Sequence, residues 1–174
     1  MKLEWRDVVL REGSPAISTS LTLAETEELR RLATGKDVLE IGSAYGYSAI
    51  VMALAGARVT AVDPHQQLGS LGPMTANVLA YAVASQVDIR AGEAQRILPH
   101  LQAEFDLVFI DGDHAAAAVA RDVTMSRDLL RHTGTLVCHD YDEDTCPGVR
   151  EALDAWKVPP RLVDTMAIYG PGEW

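Results

Sequence analysis

Short apolar runs alternate along the chain with segments whose apolar residues recur at helical spacing. The runs lack the polar alternation of a half-exposed strand, which is typical of strands buried on both faces of a parallel sheet. Five such strands are predicted, over residues 38–41, 58–62, 87–90, 105–110 and 135–138. A helix is predicted after each, over residues 48–55, 73–85, 92–101, 115–131 and 149–156. This order indicates an α/β fold with helices on both faces of the sheet.

The N-terminal part of the chain precedes this alternation. Thr22 and Glu25 have the spacing of a capping box, which predicts a helix that continues to Ala33 and ends at Gly35. Residues 1–20 are weakly patterned and are expected to form an irregular lead-in that lies over the ligand site.

The C-terminal part is expected to close the sheet, because residues 161–164 and 166–169 have the pattern of an antiparallel strand pair. No repeat, low-complexity segment or linker interrupts the chain. We therefore predict one domain over 1–174, in which 1–35 form the lead-in and first helix. Residues 36–174 are expected to form a Rossmann-like, doubly wound, mostly parallel sheet with an antiparallel C-terminal strand pair.

Composition narrows the range of functions. The chain has 174 residues and a net charge of −10, and no cluster of Lys and Arg offsets that charge. An acidic surface repels phosphate backbones and anionic lipids, so nucleic-acid and membrane partners are disfavoured. Charged residues within the first seven positions argue against a signal peptide. Cys138 and Cys146 do not make a disulfide framework, so the expected location is the reducing cytoplasm.

Acidic and histidine side chains gather where the predicted strands end. In open α/β sheets, ligands bind beyond the carboxyl ends of the strands. Here those ends read Glu40-Ile41-Gly42, Asp63-Pro64, Gly92-Glu93, Asp111-Gly112-Asp113-His114 and His139-Asp140-Tyr141. Any one acid could simply cap the following helix. Together they indicate a ligand site at one edge of the sheet.

The first strand end combines an acid with two glycines and leads directly into a helix. Such a turn aims backbone N–H groups at the ligand. Glu40 is expected at the lip of the site, where an acid suits a ligand with hydroxyls or a cationic amine. Ala44 stands between Gly42 and Gly46, so the G-x-G-x-x-G fingerprint of dinucleotide binding is not met.

The stretch Glu40–Ala49, EIGSAYGYSA, closely resembles the first motif of catechol-type O-methyltransferases, a group of class I S-adenosylmethionine-dependent methyltransferases. The resemblance extends over about residues 36–170 and implies S-adenosylmethionine as the cofactor. The residues that it implies for cofactor binding are Glu40, Gly42, Ser43, Ala44, Tyr45, Gly46, Ser48, Asp63, Pro64, His65, Gly92, Glu93, Ala94 and Asp111.

The resemblance also implies roles for several of these residues. Asp63 matches the acid that binds the ribose hydroxyls, whereas Glu93 and Ala94 match positions that contact the adenine. Ser48 matches a serine that helps to hold the cofactor carboxylate, and Tyr45 matches a residue that lines the same pocket. Structural alternatives are a plain helix cap for Ser48 and a surface aromatic for Tyr45. His65 is expected near the adenine or ribose.

A divalent cation is the second expected cofactor, because a bound cation lowers the pKa of an acceptor hydroxyl. Asp111 and Asp140 match metal-binding aspartates of the catechol-type enzymes, and Mg²⁺ is the expected ion. Two departures from the related enzymes bear on this site. Tyr141 stands where catechol-type enzymes have an asparagine. His139 stands before Asp140, where a related bacterial branch of sugar and natural-product O-methyltransferases has an acid. Histidine favours transition metals over Mg²⁺. The predicted ligands are Asp111, His139 and Asp140.

His114 is the predicted general base and, with Asp111, the predicted catalytic residue. It lies three residues after Asp111, where catechol-type enzymes place their catalytic lysine, and an imidazole can accept a proton near pH 7. The alternatives are that His114 bonds to local backbone or to Asp113, and that His139 is the base.

The leading hypothesis is a metal-assisted O-methyltransferase that acts on a small phenolic, sugar or natural-product hydroxyl. A metal-independent N- or C-methyltransferase that uses His114 or Asp113 is the alternative. A nicotinamide-binding Rossmann domain is disfavoured by Glu40 and Ala44. A catalytically silent cofactor-binding module is disfavoured by the intact carboxylates at the ends of the fourth and fifth predicted strands. The segments outside the sheet are short, which predicts an open acceptor pocket or one completed by a second copy in a homodimer.

Overall fold

A seven-stranded sheet forms the centre of the computed structural model, which describes residues 4–174. Strands β3 to β9 form this sheet, and β1 and β2 form a separate two-stranded sheet. The strands are β1 Arg6–Val8, β2 Ile17–Thr19, β3 Asp37–Ile41, β4 Arg58–Asp63, β5 Val87–Ala91, β6 Phe105–Ile110, β7 Leu130–Cys138, β8 Arg161–Val163 and β9 Met166–Tyr169. The helices are α1 Leu23–Ala33, α2 Tyr47–Leu54, α3 Leu71–Ala80, α4 Ala94–Ile97, α5 Ala116–Arg127 and α6 Pro147–Asp154, and a 3₁₀ turn, Leu98–His100, follows α4. Met1, Lys2 and Leu3, on which the signal-peptide argument partly rests, lie outside the described residues.

The order of the sheet is β5-β4-β3-β6-β7-β9-β8, with β9 antiparallel to both of its neighbours. The chain leaves β3 towards β4 and β5, and then returns to the other side of β3 as β6. This reversal is the point where open α/β sheets bind ligands. Ile41 at the end of β3 pairs with Val62 and Ile110, so the three carboxyl ends are level. The predicted fold class is confirmed.

Helices cover both faces of the sheet, as the continuous apolar strands require. On one face, Leu29 of α1, Ile50 of α2 and Met74 of α3 belong to one buried cluster. On the other face, Val119 of α5 and Leu153 of α6 belong to a second. None of the helices described within residues 4–174 combines the length and the apolar character that a membrane crossing requires.

The lead-in is more regular than expected. β1 and β2 pair antiparallel, and Ile17 of β2 is buried in the core. Tyr81 stabilises the segment that connects β1 and β2. Its hydroxyl accepts a hydrogen bond from Leu10 N at 3.0 Å and donates one to the Pro15 carbonyl at 2.7 Å. Strands of three residues are too short to produce a readable alternation, which explains why the pattern indicated an irregular segment.

The strand expected at 135–138 also begins earlier, at Leu130. Gly134 lies inside β7, where the register against β6 is irregular. A Cβ at this position would lie 2.4 Å from Leu130 Cδ1, so the irregularity requires glycine. The preceding helix, α5, consequently ends at Arg127 and not at Arg131.

Candidate functional site

A cleft of about 570 Å³ opens at the carboxyl edge of β3, β4 and β6. The predicted site residues that line it are Gly42, Ala44, Asp63, Pro64, His65, Glu93, Ala94, Asp111, His114 and Asp140. The other predicted residues, Glu40, Ser43, Tyr45, Gly46, Ser48, Gly92 and His139, lie beneath or beside this lining. Trp5, which belongs to the N-terminal lead-in, forms part of the wall, and its ring packs edge-on against Tyr45 at 6.0 Å.

A second depression, of about 600 Å³, lies at the opposite, amino-terminal edge of the strands. Charged side chains that line it pair with one another: Arg58 lies 2.7 Å from Asp37, and Arg131 lies 3.7 Å from Glu104. The predicted site residues do not line it. The candidate functional site is therefore the cleft at the carboxyl edge.

The turn after β3 has an unusual backbone that explains its sequence. Gly42 has a φ of 94°, and a Cβ there would lie 2.1 Å from the carbonyl oxygen of Asp111. The carboxylate of Asp63 accepts from Ala44 N at 2.9 Å and from His65 N at 2.5 Å. One acid thus fixes the turns after both β3 and β4, at the edge of the cleft.

Glu40 does not lie at the lip of the cleft. Its side chain is fully buried, and the hydroxyl of Ser48 donates to Oε1. Within residues 4–174, Oε2 has no hydrogen-bond partner. Burial raises the pKa of Glu40 to about 8, because desolvation and the nearby charges of Asp111 and Asp63 outweigh the Ser48 hydrogen bond. Glu40 and Ser48 therefore form a buried pair beneath the floor of the cleft.

His65 presents an unsatisfied nitrogen at the wall of the cleft. The side chain is buried, and Nδ1 lies 2.8 Å from Ser70 Oγ. Its Nε2 has no hydrogen-bond partner among the described residues. Buried polar atoms are normally paired, so an orphan beside Asp63 is suited to a ligand hydroxyl or ring nitrogen.

Asp111, His114, His139 and Asp140 converge at the far side of the cleft, as the strand ends predicted. Nδ1 of His139 lies 3.2 Å from Asp111 Oδ1 and 3.1 Å from Asp140 Oδ1. Nε2 of His114 lies 2.9 Å from Asp140 Oδ2. Both oxygens of Asp140 therefore face an imidazole, and His139 connects the two aspartates.

These contacts shift the proton affinities of the cluster. Burial alone would raise the pKa of Asp140, but His114 and His139 hold that pKa well below its ordinary value. Burial alone would lower the pKa of His139, but Asp111 and Asp140 hold it well above the usual range. Burial raises the pKa of Asp111 and outweighs the opposing charge of His139. The contact with Asp140 raises the pKa of His114 against the effect of burial.

Three residues without the freedom of glycine adopt left-handed backbone angles at this edge. Their φ angles are 42° for Ala44, 56° for His65 and 59° for Asp140. Such angles cost about 1 kcal/mol or more each and cluster at functional sites. Three further residues of the described chain, Ala82, Lys157 and Asp164, have such angles away from the ends of β3, β4 and β7, so the strained backbone is consistent with a site at this edge but is not confined to it.

The donor set fits a divalent cation. Asp111, His139 and Asp140 each offer one ligand atom, and these atoms all lie within 4.8 Å of one another. In the structure His139 Nδ1 contacts the two aspartates directly, at 3.2 and 3.1 Å, so a cation bound here would replace these contacts. His114, Asp140 and Cys146 form a second, overlapping group.

Two acids at the site were not predicted. Asp122 of α5 lines the cleft and is buried beside Arg121, and burial raises the pKa of Asp122. It occupies the same buried face of α5 as Val119 and Val123, and an acid within an apolar helix stripe is the signal that could have identified it. Glu25 closes the predicted capping box of α1 but also reaches His139, with Oε2 at 3.3 Å from Nε2.

A family model described as a methyltransferase domain matches residues 39–141, which include the carboxyl end of β3 and all four residues of the cluster. The chain belongs to this family. A catechol O-methyltransferase from Niastella koreensis is 36% identical over 109 residues, covering 58% of this chain and 48% of that protein. The resemblance to catechol-type enzymes is thereby confirmed. The chain spans about half the length of the curated relatives it matches.

Two solved structures share the fold. Cofactor-bound Rv0187 from MTB has a TM-score of 0.75 at 23% identity, covering 88% of this chain and 82% of that chain. The O-methyltransferase TomG from Streptomyces achromogenes, in complex with S-adenosylmethionine, has a TM-score of 0.70 at 22% identity, covering 87% and 82%. At these identities the likeness shows the fold alone.

Proposed function

We propose that this chain is an S-adenosylmethionine-dependent O-methyltransferase that acts, with the help of a divalent cation, on a hydroxyl of a small molecule. The observation that carries the proposal is one cleft with two chemically different ends. Asp63 and His65 lie at the end of β4, and His114 and the pair Asp111 and Asp140 lie at the ends of β6 and β7. Membership of the methyltransferase domain family supports the same activity.

The β4 end is the proposed cofactor half. The carboxylate of Asp63 already accepts two backbone N–H groups, and its remaining lone pairs suit ribose hydroxyls. Nε2 of His65 is an unsatisfied partner for the nucleoside, and Glu93 and Ala94 line the neighbouring wall where the adenine is expected. S-adenosylmethionine bound there would supply an electrophilic methyl group.

The β6–β7 end is the proposed acceptor half. His114 is about two-fifths exposed to the cleft and can accept the proton of an acceptor hydroxyl, while the buried Asp140 carboxylate stabilises the resulting imidazolium. Asp111, His139 and Asp140 would hold the cation, which would lower the pKa of the acceptor hydroxyl. The Trp5 ring suits the flat face of a phenol or the apolar face of a sugar. That a second copy of the chain completes the acceptor pocket in a homodimer stays a prediction. Light scattering, which measures the oligomeric state in solution, would test it.

The test is transfer of a labelled methyl group to a panel of phenols and sugars. His114→Ala is expected to lower the turnover of the best acceptor 10²- to 10⁴-fold, because proton transfer is lost. Binding of S-adenosylhomocysteine, measured by calorimetry, should be retained, since the Asp63 half is intact. His132→Ala, at an exposed histidine of β7 outside the cleft, is the matched control. Turnover of His114→Ala within threefold of the parent would refute the proposed base.

A metal-independent methyltransferase is the second candidate. The observation that favours it is the pairing within the cluster, where His139 and His114 already occupy both oxygens of Asp140. The same assay decides between the candidates: transfer lost in chelator and restored by added divalent ions supports metal assistance. Transfer that is indifferent both to chelator and to Asp111→Asn supports the second candidate.

A further inference from the structure

Glu25 is a capping-box glutamate in an unusual place. Such residues usually lie on the surface of a helix N-terminus, whereas Glu25 is fully buried. Its Oε2 accepts from Thr22 N at 2.8 Å, and its Oε1 accepts from Thr165 N at 2.8 Å and from Thr165 Oγ1 at 2.7 Å. A buried carboxylate is costly unless it is fully paired. The helix cap alone does not require this burial.

The fourth contact of Glu25 determines where the proton of His139 lies. Nε2 of His139 lies 3.3 Å from Glu25 Oε2 and 3.3 Å from Thr165 Oγ1. The hydroxyl hydrogen of Thr165 is already directed to Glu25 Oε1, so both neighbours of Nε2 can only accept. Nε2 must therefore carry a proton. Nδ1 also faces acceptor oxygens, those of Asp111 and Asp140, and carries a proton of its own while no cation is bound. Because Glu25 and Thr165 retain the proton of Nε2, Nδ1 is the nitrogen that can exchange its proton for a cation.

We propose that Glu25 is a positioning residue for the cation site: it holds His139 in the Nε2–H tautomer, so that Nδ1 completes a nitrogen-and-two-oxygen donor set with Asp111 and Asp140. A carboxylate that orients a metal-binding histidine is a recurrent second layer of metal sites. Because imidazole suits transition metals better than Mg²⁺, the site should prefer ions such as Mn²⁺ or Co²⁺. The inference rests on the proposed cation and adds to it the residue that prepares the ligand.

Glu25→Gln is the decisive variant, because it keeps the shape and reverses the polarity. The amide of the new side chain cannot serve all four groups that contact Glu25. With its oxygen towards the two donors of Thr165, its NH₂ group faces His139 Nε2 and also opposes the N–H of Thr22. That contact would require Nε2 to accept and would move the imidazole proton to Nδ1. The histidine nitrogen that faces Asp111 and Asp140 would then be blocked.

The experiment is a titration of chelator-treated protein with Co²⁺ and Mg²⁺, followed by calorimetry and by the Co²⁺ absorption spectrum. The parent should bind Co²⁺ more tightly than Mg²⁺, and Glu25→Gln should weaken Co²⁺ binding about 10- to 100-fold. Thr22→Ala is the matched control, since it removes the other half of the capping box and leaves the backbone N–H on Glu25. Its Co²⁺ affinity should stay within threefold of the parent value.

A second measurement does not depend on the variant being folded. Nitrogen-15 NMR of the parent loaded with Zn²⁺ should show the proton of His139 on Nε2. A proton on Nδ1 would overturn the proposal, as would a folded Glu25→Gln protein with the Co²⁺ affinity of the parent. A parent that binds none of these ions would overturn the metal assistance as well, so the two failures are distinguishable.

Discussion

Replacing Glu40 by glutamine tests whether the acid of the first motif is a buried, protonated carboxyl. Glu40 lies on β3 with no exposed surface, and Ser48 donates to one of its oxygens. Burial, reinforced by the charges of Asp111 and Asp63, raises its pKa from 4.5 to about 8. Glu40→Gln keeps the shape and an acceptor for Ser48, but it cannot ionise.

The expected effect depends on pH in a defined direction. Between about pH 4.5 and 8 the folded protein holds the Glu40 proton while the unfolded chain releases it, so the free energy of unfolding falls as pH rises. One pKa unit corresponds to about 1.4 kcal/mol, so the penalty approaches 5 kcal/mol above pH 8 and is about 1 kcal/mol at pH 5. Glu40→Gln removes this penalty. Its stability relative to the parent should therefore increase by about 3 to 4 kcal/mol from pH 5 to pH 8.

The measurement is urea denaturation of the parent and Glu40→Gln across that pH range, without cofactor. Other groups titrate in the same window, but they do so in both proteins, and the difference between the two curves isolates Glu40. Glu27→Gln is the control for loss of one surface charge, because the Glu27 side chain is 69% exposed. A difference that does not change between pH 5 and pH 8 would show that Glu40 ionises normally and would refute the reasoning.

Two further predictions concern the edge of the sheet. Gly42→Ala should lower the free energy of unfolding by about 3 kcal/mol or more, because its Cβ would meet the Asp111 carbonyl at 2.1 Å. In thermal denaturation Gly69→Ala, with φ of 59° and open space around it, should lose only about 1 kcal/mol, and equal losses would contradict the clash. Asp63→Asn should weaken S-adenosylhomocysteine binding about 10- to 100-fold in calorimetry, since one acceptor oxygen is lost. Asp88→Asn, an exposed acid of β5, is its control, and unchanged affinity of Asp63→Asn would remove Asp63 from the cofactor half.

The parallel sheet and the convergence of the candidate site residues at one of its edges could be predicted because they depend on local patterns. Continuous apolar runs separated by helices leave little choice of fold, and parallel strands bring their carboxyl ends to one edge. The convergence of Asp111, His114 and Asp140 follows from that rule alone. The capping box of α1 could be predicted for the same reason, since its two residues are three positions apart.

Whether a polar side chain at a strand end is buried in the core or exposed to the cleft could not be predicted from the same patterns. Glu40 stands at the end of an apolar strand, where the alternation of faces and the position of α2 decide between the lip of the cleft and the core. The side chain points to the face that α2 covers, and Ser48 at the start of α2 meets it there. Burial of an acid depends on the helix that packs over it, which no residue of the strand itself reveals.

Long-range contacts explain why the proposed acceptor half is harder to infer than the proposed cofactor half. The carboxylate of Asp63 accepts from backbone N–H groups in the turns after β3 and β4, which belong to one βαβ unit. A single sequence motif is therefore sufficient to predict its position. The acceptor half depends on Thr165, in the turn between β8 and β9, whose carbonyl accepts from Tyr141 N at 2.8 Å beside the strained Asp140. The same residue donates twice to Glu25, which is 140 positions away. The antiparallel strand pair therefore does more than close the sheet: it joins α1 to the end of β7, and the geometry of the proposed cation site depends on that junction.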